Sequence, residues 1–218
     1  MRLNHFYVTA DEETFAAAAR TAQLGAWEER TTVRKDRTYT GLYLYGENTY
    51  LELLHPRSKL GAPSGIAWEG QGGELIFRGE APWFRMASPQ PQLAALTDWT
   101  MEYVPEFFRQ FHPQLPPANP GTSRADALTR YTAACGKLDD REQGLFEDVI
   151  GLELQLPGGD AAILAQRPRP VGIELQVREG SRGIAAARLR LRREAGKSNL
   201  QIGSTTLSLD GRTAVWRF

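Results

Sequence analysis

The chain has few of the residues that build disulfides or thiolate metal sites. Its 218 residues include one cysteine, Cys135, and only three histidines. A single cysteine cannot close an internal disulfide or supply the paired thiolates of a structural zinc site, and it is typical of a protein from a reducing compartment. We therefore expect a cytoplasmic protein without a disulfide framework.

An excess of one charge and a long apolar run are also missing. Lysine plus arginine and aspartate plus glutamate both number 26, and the isoelectric point is near 6.9. A balanced chain has no overall electrostatic footprint for nucleic acid or an anionic membrane. No run could span a bilayer, and the strand-like start lacks the apolar core of a signal peptide. We expect neither nucleic acid nor membrane as a partner.

The first quarter of the chain has the pattern of one strand, one helix and three more strands. Residues 2–9 alternate in polarity, and the run that follows Asp11 combines an N-cap residue with early acids and many helix formers. Strand patterns return at residues 28–35, 41–46 and 50–54. The order predicts a βαβββ module.

The rest of the chain divides into an irregular part and a second strand-rich part. Residues 58–144 are rich in glycine and proline, with one apolar helical spacing over 93–111, and we interpret them as an insertion packed on the modules. Residues 145–218 again read as strand, helix and several strands. We predict an α+β fold in which two βαβββ modules, 1–57 and 145–218, form a cup-shaped mixed sheet within one compact body.

A histidine and a carboxylate lie in the middle of two predicted strands. His5 belongs to the first strand, and Glu52 lies between leucines of a later one. A charged glutamate is costly to bury unless it is hydrogen-bonded, ion-paired or bound to a metal. The two residues predict half of a metal site; the alternatives are a structural His5 and an ion pair between Glu52 and an arginine.

Tyrosines alternate with leucines in the same predicted strands. Because successive strand residues face opposite sides of a sheet, Leu42 and Leu44 would pack on the helix while the tyrosines face the other way. These tyrosines would line a polar, aromatic cup, although aromatic residues at strand spacing are also common in ordinary cores. The candidate ligand-binding tyrosines are Tyr7, Tyr43, Tyr45 and Tyr50.

Four short motifs connect these patterns to a known superfamily. They are LNHFYV at 3–8, YLYGENTYLELL at 43–54, W-x-M-E-Y at 99–103 and GRTAVWRF at 211–218. In this order the chain resembles the vicinal-oxygen-chelate superfamily of glyoxalases and dioxygenases, and within it an uncharacterised bacterial glyoxalase-like family. The resemblance covers most of the chain.

The resemblance implies a metal site built from the first and last strands of each module. It places His5 and Glu52 as ligands of one divalent ion, Zn, Fe, Mn or Ni, which would be chelated by two oxygens of a small organic ligand. In the second module, Leu152 and Trp216 stand at the corresponding positions, and neither can bind a metal. Trp216 is therefore a candidate for contact with the ligand.

Two classes of function follow from the resemblance. A metal-dependent lyase or isomerase would need a carboxylate base, for which Glu102 is the catalytic candidate, whereas a ring-cleaving dioxygenase would need a second histidine, best supplied by His112. The alternative is a metal-free protein that binds or sequesters a small molecule without catalysis, and the missing second-module ligands favour it. The edge-like strand at residues 28–35 could support a homodimer.

Overall fold

The computed structural model describes residues 1–58, 60–111 and 124–218, and these ranges form two β-sheets and several helices. Strands account for 51% and helices for 19%, so the predicted α+β class is confirmed. None of the helices in these ranges is long and apolar enough to cross a membrane. The strands are β1 (Leu3–Thr9), β2 (Trp27–Val33), β3 (Thr38–Tyr45), β4 (Tyr50–Leu54), β5 (Ser64–Glu69), β6 (Glu74–Arg78), β7 (Ala81–Ala87), β8 (Thr97–Tyr103), β9 (Phe146–Leu156), β10 (Glu174–Glu179), β11 (Gly183–Ile202) and β12 (Thr205–Arg217). The α-helices are α1 (Glu12–Ala18), α2 (Pro105–Phe111), α3 (Arg124–Ala134), α4 (Leu138–Gln143) and α5 (Gly158–Ala165).

The larger sheet curls into a half-barrel whose concave side is a cup. Its strand order is β2-β3-β4-β1-β5-β8-β7-β6. Two four-stranded units meet where β1 pairs antiparallel with β5, and in each unit the first strand runs parallel to the fourth. The predicted cup-shaped mixed sheet is therefore present, and its first half is the predicted βαβββ module.

The second half of the cup comes from a different part of the chain than we predicted. Strands β5 to β8 lie within residues 58–144, the expected insertion, whereas residues 145–218 form a separate sheet of order β10-β9-β11-β12. The predicted helix over 93–111 is wrong for 97–103, because the apolar spacing of Trp99 and Tyr103 suits a strand as well as a helix. Helix α2 begins only at Pro105, since proline lacks a backbone N–H and is well placed in a first helical turn.

The convex side of the half-barrel packs against the second sheet. Leu42 and Leu44 share an apolar core with Phe15 of α1 and with inward residues of β9, β11 and β12, as predicted for the leucines. Helix α1 is held in place by Asp11, whose side chain accepts a hydrogen bond of 2.6 Å from the backbone of Thr14.

One buried carboxylate joins the two sheets. Asp148 on β9 accepts hydrogen bonds from the backbone N–H groups of Asn48 and Thr49, at 2.8 and 2.9 Å, and from their side chains. These bonds hold the turn between β3 and β4 against the second sheet, and so hold the strand that carries Glu52.

Candidate functional site

The concave side of the half-barrel encloses a cavity of about 120 Å³. Strands β1, β3 and β4 contribute aromatic and acidic side chains, β2 and the β2–β3 turn contribute arginines, and β7 and β8 close the opposite wall. The lining residues are His5, Tyr7, Arg30, Arg34, Arg37, Tyr39, Tyr43, Tyr50, Glu52, Leu60, Trp83, Phe84, Met86, Ser88, Thr97, Trp99 and Met101.

His5 is a buried, neutral base in the wall of this cavity. Its ring stacks on Tyr50 at 4.3 Å between centroids and meets the edge of Trp99 at 5.5 Å. Burial, together with the positive charges of Arg124 and Arg30, holds the pKa of His5 well below its usual value. Its Nδ1 lies 2.7 Å from Oδ1 of Asn4, an acceptor, so the proton belongs on Nδ1 and Nε2 is left as an acceptor.

Glu52 is a buried carboxylate with an unused hydrogen-bonding atom. It is 5% exposed and lies directly across from Tyr43 on β3 and Tyr7 on β1. Neither Glu52 Oε1 nor the Tyr43 hydroxyl has a hydrogen-bond partner of good geometry among the described residues. A methyl group at Gly41 would overlap Glu52 Oε1, so glycine leaves the space that this carboxylate occupies.

Burial also governs the protonation of Glu52. It raises the pKa of the carboxyl group to about 7, against the opposing effects of the nearby Tyr43 hydroxyl and the positive charge of Arg30. At neutral pH the group therefore exists in both forms, as an acceptor when ionised and as a donor when protonated.

Arg30 connects the cavity to a polar network behind it. Its guanidinium carbon lies 4.0 Å from the centre of the Tyr43 ring, and its Nη1 contacts Glu28 at 3.3 Å and the hydroxyl of Tyr131. The hydroxyl of Tyr45 donates to the same Glu28 carboxylate. These contacts fix the guanidinium at the cavity wall.

Five of the predicted site residues meet in the cup. His5, Glu52, Tyr7, Tyr43 and Tyr50 all line the cavity.

Tyr45 lies next to that cavity, 5.7 Å from Tyr50 between ring centroids, and its hydroxyl belongs to the network behind Arg30. The prediction for His112 lies outside the described residues.

Two predicted site residues lie elsewhere. Trp216 is completely buried on β12, where its indole donates to Thr205 at 2.9 Å and its ring packs edge-on against Trp27; this interaction belongs to the core between the sheets. Glu102 is an exposed residue on the opposite face of β8 from Trp99 and Met101. Leu152 is likewise buried in the core of the second sheet, not in the cup.

A wider cleft of about 900 Å³, bordered by both sheets, includes Glu102 in its lining. Other carboxylates in that cleft already have cationic neighbours: Glu69 lies 3.6 Å from Arg124, and Asp148 lies 3.4 Å from Arg190. The smaller cavity in the cup has the buried carboxylate oxygen without a partner, so we take it as the candidate site.

The sequence analysis missed the cationic part of the site. Arg30 and Arg34 lie on alternate positions with Glu28, on the side of β2 that continues the tyrosine face of β3. That alternation was visible in the sequence, but the segment was interpreted only as an exposed edge strand. Arg37 lies in the turn after β2, and Tyr39 lies at the start of β3. Their position at the cavity depends on how β2 and β3 pair, which the local sequence does not show.

The donor set of the cup, among the described residues, does not fit a divalent metal. His5 and Glu52 supply two ligands, whereas protein sites for such ions use at least three. On the other half of the cup, β5 and β8 present Gly65, Ala67 and Trp99, and none of these side chains is a metal ligand. In residues 1–58, 60–111 and 124–218, no three His, Cys, Asp or Glu side chains come together as a metal site.

Comparison with known proteins gives a family but no activity. No curated protein sequence and no solved structure matches the chain. A family model with the description "Family of unknown function (DUF5829)" matches residues 3–73 and 74–188, which include all eight strands of the half-barrel, β9, β10 and the start of β11. The chain therefore belongs to the DUF5829 family.

Proposed function

We propose that the protein binds a small organic molecule in the cup, through hydrogen bonds to Glu52 and Tyr43 and contacts with the aromatic walls, without a metal ion. The observation that carries the proposal is the buried pair of Glu52 Oε1 and the Tyr43 hydroxyl, which lie close together but form no hydrogen bond of good geometry with each other or with any other described residue. Leaving a buried polar group without a hydrogen bond costs about 1–3 kcal/mol. A ligand that bonds to both groups would recover this free energy.

Other features of the cavity support the same proposal. Trp83 also lines it, and its indole N–H is a third buried group without a partner among the described residues. Drug-sized ligands occupy pockets of roughly 300–1,000 Å³, so a cavity of about 120 Å³ suits a molecule of few non-hydrogen atoms.

The kinship with the vicinal-oxygen-chelate superfamily remains part of this proposal. It is supported by the two four-stranded units of equal strand order, joined through their first strands, and by His5 and Glu52 on the cup side of β1 and β4. The poor fit of the donor set to a metal favours binding or sequestration over the metal-dependent lyase, isomerase or dioxygenase.

The proposal also includes a cytoplasmic location and a homodimer. The single cysteine supports the first. The position of β2 at the edge of the larger sheet supports the second, since an edge strand leaves backbone groups available for pairing.

A calorimetric binding screen tests the function. Small single-ring and aliphatic compounds are titrated into the wild type, into Glu52→Gln and Tyr43→Phe, and into Glu102→Gln as the matched control on the outer face of β8. We expect compounds that bind the wild type and the control alike, that bind Tyr43→Phe about tenfold more weakly, the equivalent of one hydrogen bond, and whose affinity changes in Glu52→Gln, because the amide cannot ionise. Equal affinity in all four proteins would overturn the assignment of the site.

Chelation distinguishes metal-free binding from metal-dependent binding. The same titrations are repeated after dialysis against EDTA, with elemental analysis of the wild type and Glu52→Gln. We expect unchanged affinity and no stoichiometric metal. Loss of binding after chelation, restored by a divalent ion, would replace the proposed function with the metal-dependent one.

A further inference from the structure

The side chains around the cavity carry an excess of positive charge. Arg30, Arg34 and Arg37 line it, and two carboxylates pair with them: Glu28 lies 3.3 Å from Arg30, while Asp36 lies 3.0 Å from Arg34 and 2.7 Å from Arg37. Three guanidinium groups thus share two partners. Neither of these carboxylates lines the cavity; Glu52 is the only carboxyl group among the described lining residues, and it neutralises the excess positive charge only when it is ionised.

Arg30 is the arginine best placed to act on a ligand. Its side chain is 11% exposed, is stacked on Tyr43 and is held from behind by Glu28 and Tyr131. Its Nε is buried and has no partner among the described residues. A planar guanidinium that is fixed in this way and has an unused N–H is suited to a carboxylate or a similar anion.

Resting on the proposed function, we infer that the ligand is an organic anion bound by Arg30, and that Glu52 is protonated in the complex. An ionised Glu52 would repel the anion, and its burial weakens the screening of that repulsion by water. A protonated Glu52 removes that repulsion and can donate a hydrogen bond to the ligand. Binding then takes up the proton that the ionised fraction of Glu52 lacks, which approaches one proton only well above about pH 7.

The other groups that face Glu52 do not supply this proton. Burial raises the pKa of Tyr39 to about 12, and it raises the pKa values of Tyr7 and Tyr43 as well, so these β1 and β3 tyrosines stay neutral near pH 7. His5 on β1 is also neutral there, since burial lowers its pKa. On the far wall, β7 and β8 face the cavity with Met86, Thr97, Trp99 and Met101, which do not titrate.

The sign of the pH dependence distinguishes an anion from a metal. When only the protonated Glu52 form accepts the anion, affinity falls about tenfold between about pH 6 and about pH 8, because the carboxyl group loses its proton across this range. A metal held by Glu52 would bind more tightly as pH rises, since its ligands must be deprotonated.

The experiment measures dissociation constants for matched pairs of neutral and anionic probes. Propionate, benzoate and 4-hydroxybenzoate are each compared with their primary amide by calorimetry at about pH 6 and about pH 8, conditions in which these carboxylates stay ionised. We expect a carboxylate to bind at least tenfold more tightly than its amide at the lower pH, and to lose about tenfold in affinity at the higher pH.

Variants identify the residues that cause the pH dependence and the preference for carboxylates. Glu52→Gln should bind the carboxylate with no dependence on pH, and Arg30→Lys, which keeps the charge but loses the planar fork, should weaken it about tenfold while leaving the amide unchanged. Arg217→Lys, which makes the same change at an exposed position on β12, is the matched control. Melting temperatures check that each variant is folded, and the pH dependence of the wild type tests the inference without any variant.

The outcomes separate the inference from the proposed function. Amides that bind as tightly as carboxylates, with sensitivity to Glu52→Gln, would overturn the anion and leave the binding site in place. Affinity that rises with pH would also overturn it. Failure of every probe to bind, charged or neutral, would count against both.

Discussion

Alternate residues of the same strands meet two different environments in this fold. On β3 and β4, Leu42 and Leu51 point to the convex side, where they join the apolar core between the sheets, whereas Tyr43 and Glu52 point into the cup. Both faces are buried. Burial alone therefore does not distinguish the core of this protein from its candidate site.

The two faces differ in how their polar groups are satisfied. The indole of Trp216 on the convex side finds Thr205 at 2.9 Å. The cup keeps Glu52 Oε1, the Tyr43 hydroxyl and the Trp83 indole without partners among the described residues. Since folding stability alone would favour apolar residues over unpaired polar ones, we interpret the cup as a surface that a ligand completes.

The largest expected effect comes from the convex face. Trp216→Ala should lower the free energy of unfolding by about 3–5 kcal/mol, because it leaves a cavity in a fully enclosed core. Trp99→Ala, on the partly exposed wall of the cup, should cost less stability and weaken ligand binding instead. Urea denaturation of both variants measures the first effect, and calorimetry on the folded proteins measures the second. A larger loss of stability for Trp99→Ala would contradict this division.

Glu52→Gln should stabilise the protein, and more so as pH rises. A carboxyl group whose pKa is raised to about 7 in the folded state destabilises that state as pH increases from the unfolded pKa, near 4.5, to about 7. This shift corresponds to at most about 3 kcal/mol above pH 7, and the neutral amide removes it. Urea denaturation at about pH 5 and about pH 8 should show that the variant gains on the wild type at the higher pH. An equal difference at both pH values would mean that Glu52 is solvated or paired.

His5→Gln should change how the stability of the protein depends on pH below about pH 6.5. A histidine whose pKa is lowered by burial binds its proton more readily in the unfolded chain, so stability is lost as pH falls below about 6.5. The variant should lose this slope, while at neutral pH it should cost about 0.5–1.5 kcal/mol through the missing stack on Tyr50. Thermal melts between about pH 5 and about pH 7 measure both. A wild type whose stability does not change over this range, with Glu52→Gln as background, would contradict a buried neutral His5.

Local patterns in the sequence were enough to predict the first half of the cup. The alternation of Leu42, Tyr43 and Leu44 identified both faces of β3. His5 and Glu52 were correctly assigned to two strands of one module, and these strands, β1 and β4, pair with each other. The period of two in a strand is a local property, so it can be read without knowledge of the fold.

The second half could not be predicted in the same way, because it depends on pairing over a distance. Strand β5 pairs antiparallel with β1, whereas β9, which has an equally regular strand pattern, belongs to the other sheet. No local pattern shows which of the two strands pairs with β1. The glycines that made residues 58–73 look irregular include Gly65, where a side chain would overlap the ring of Tyr7. The second sheet shows the same limit of local patterns: the turn-like pair Asp210-Gly211 lies inside β12, and the chain reverses between β11 and β12 at Gly203, whose φ is +59°.

The smallest expected effect is at Glu102, and it tests the parity of β8. Glu102→Gln makes the same chemical change as Glu52→Gln, but on the face of β8 that points away from the cup. On the neighbouring strand β7, Glu102 lies opposite Arg85. Exposed substitutions of this kind change stability by less than about 0.5 kcal/mol, so we expect the free energy of unfolding and the ligand affinity to stay near those of the wild type. Calorimetry and urea denaturation on the two glutamine variants in parallel measure both quantities. If Glu102→Gln changed ligand affinity as much as Glu52→Gln, the Glu102 carboxylate would have to reach the ligand from the other side of β8, and the division between the two faces would fail at this strand.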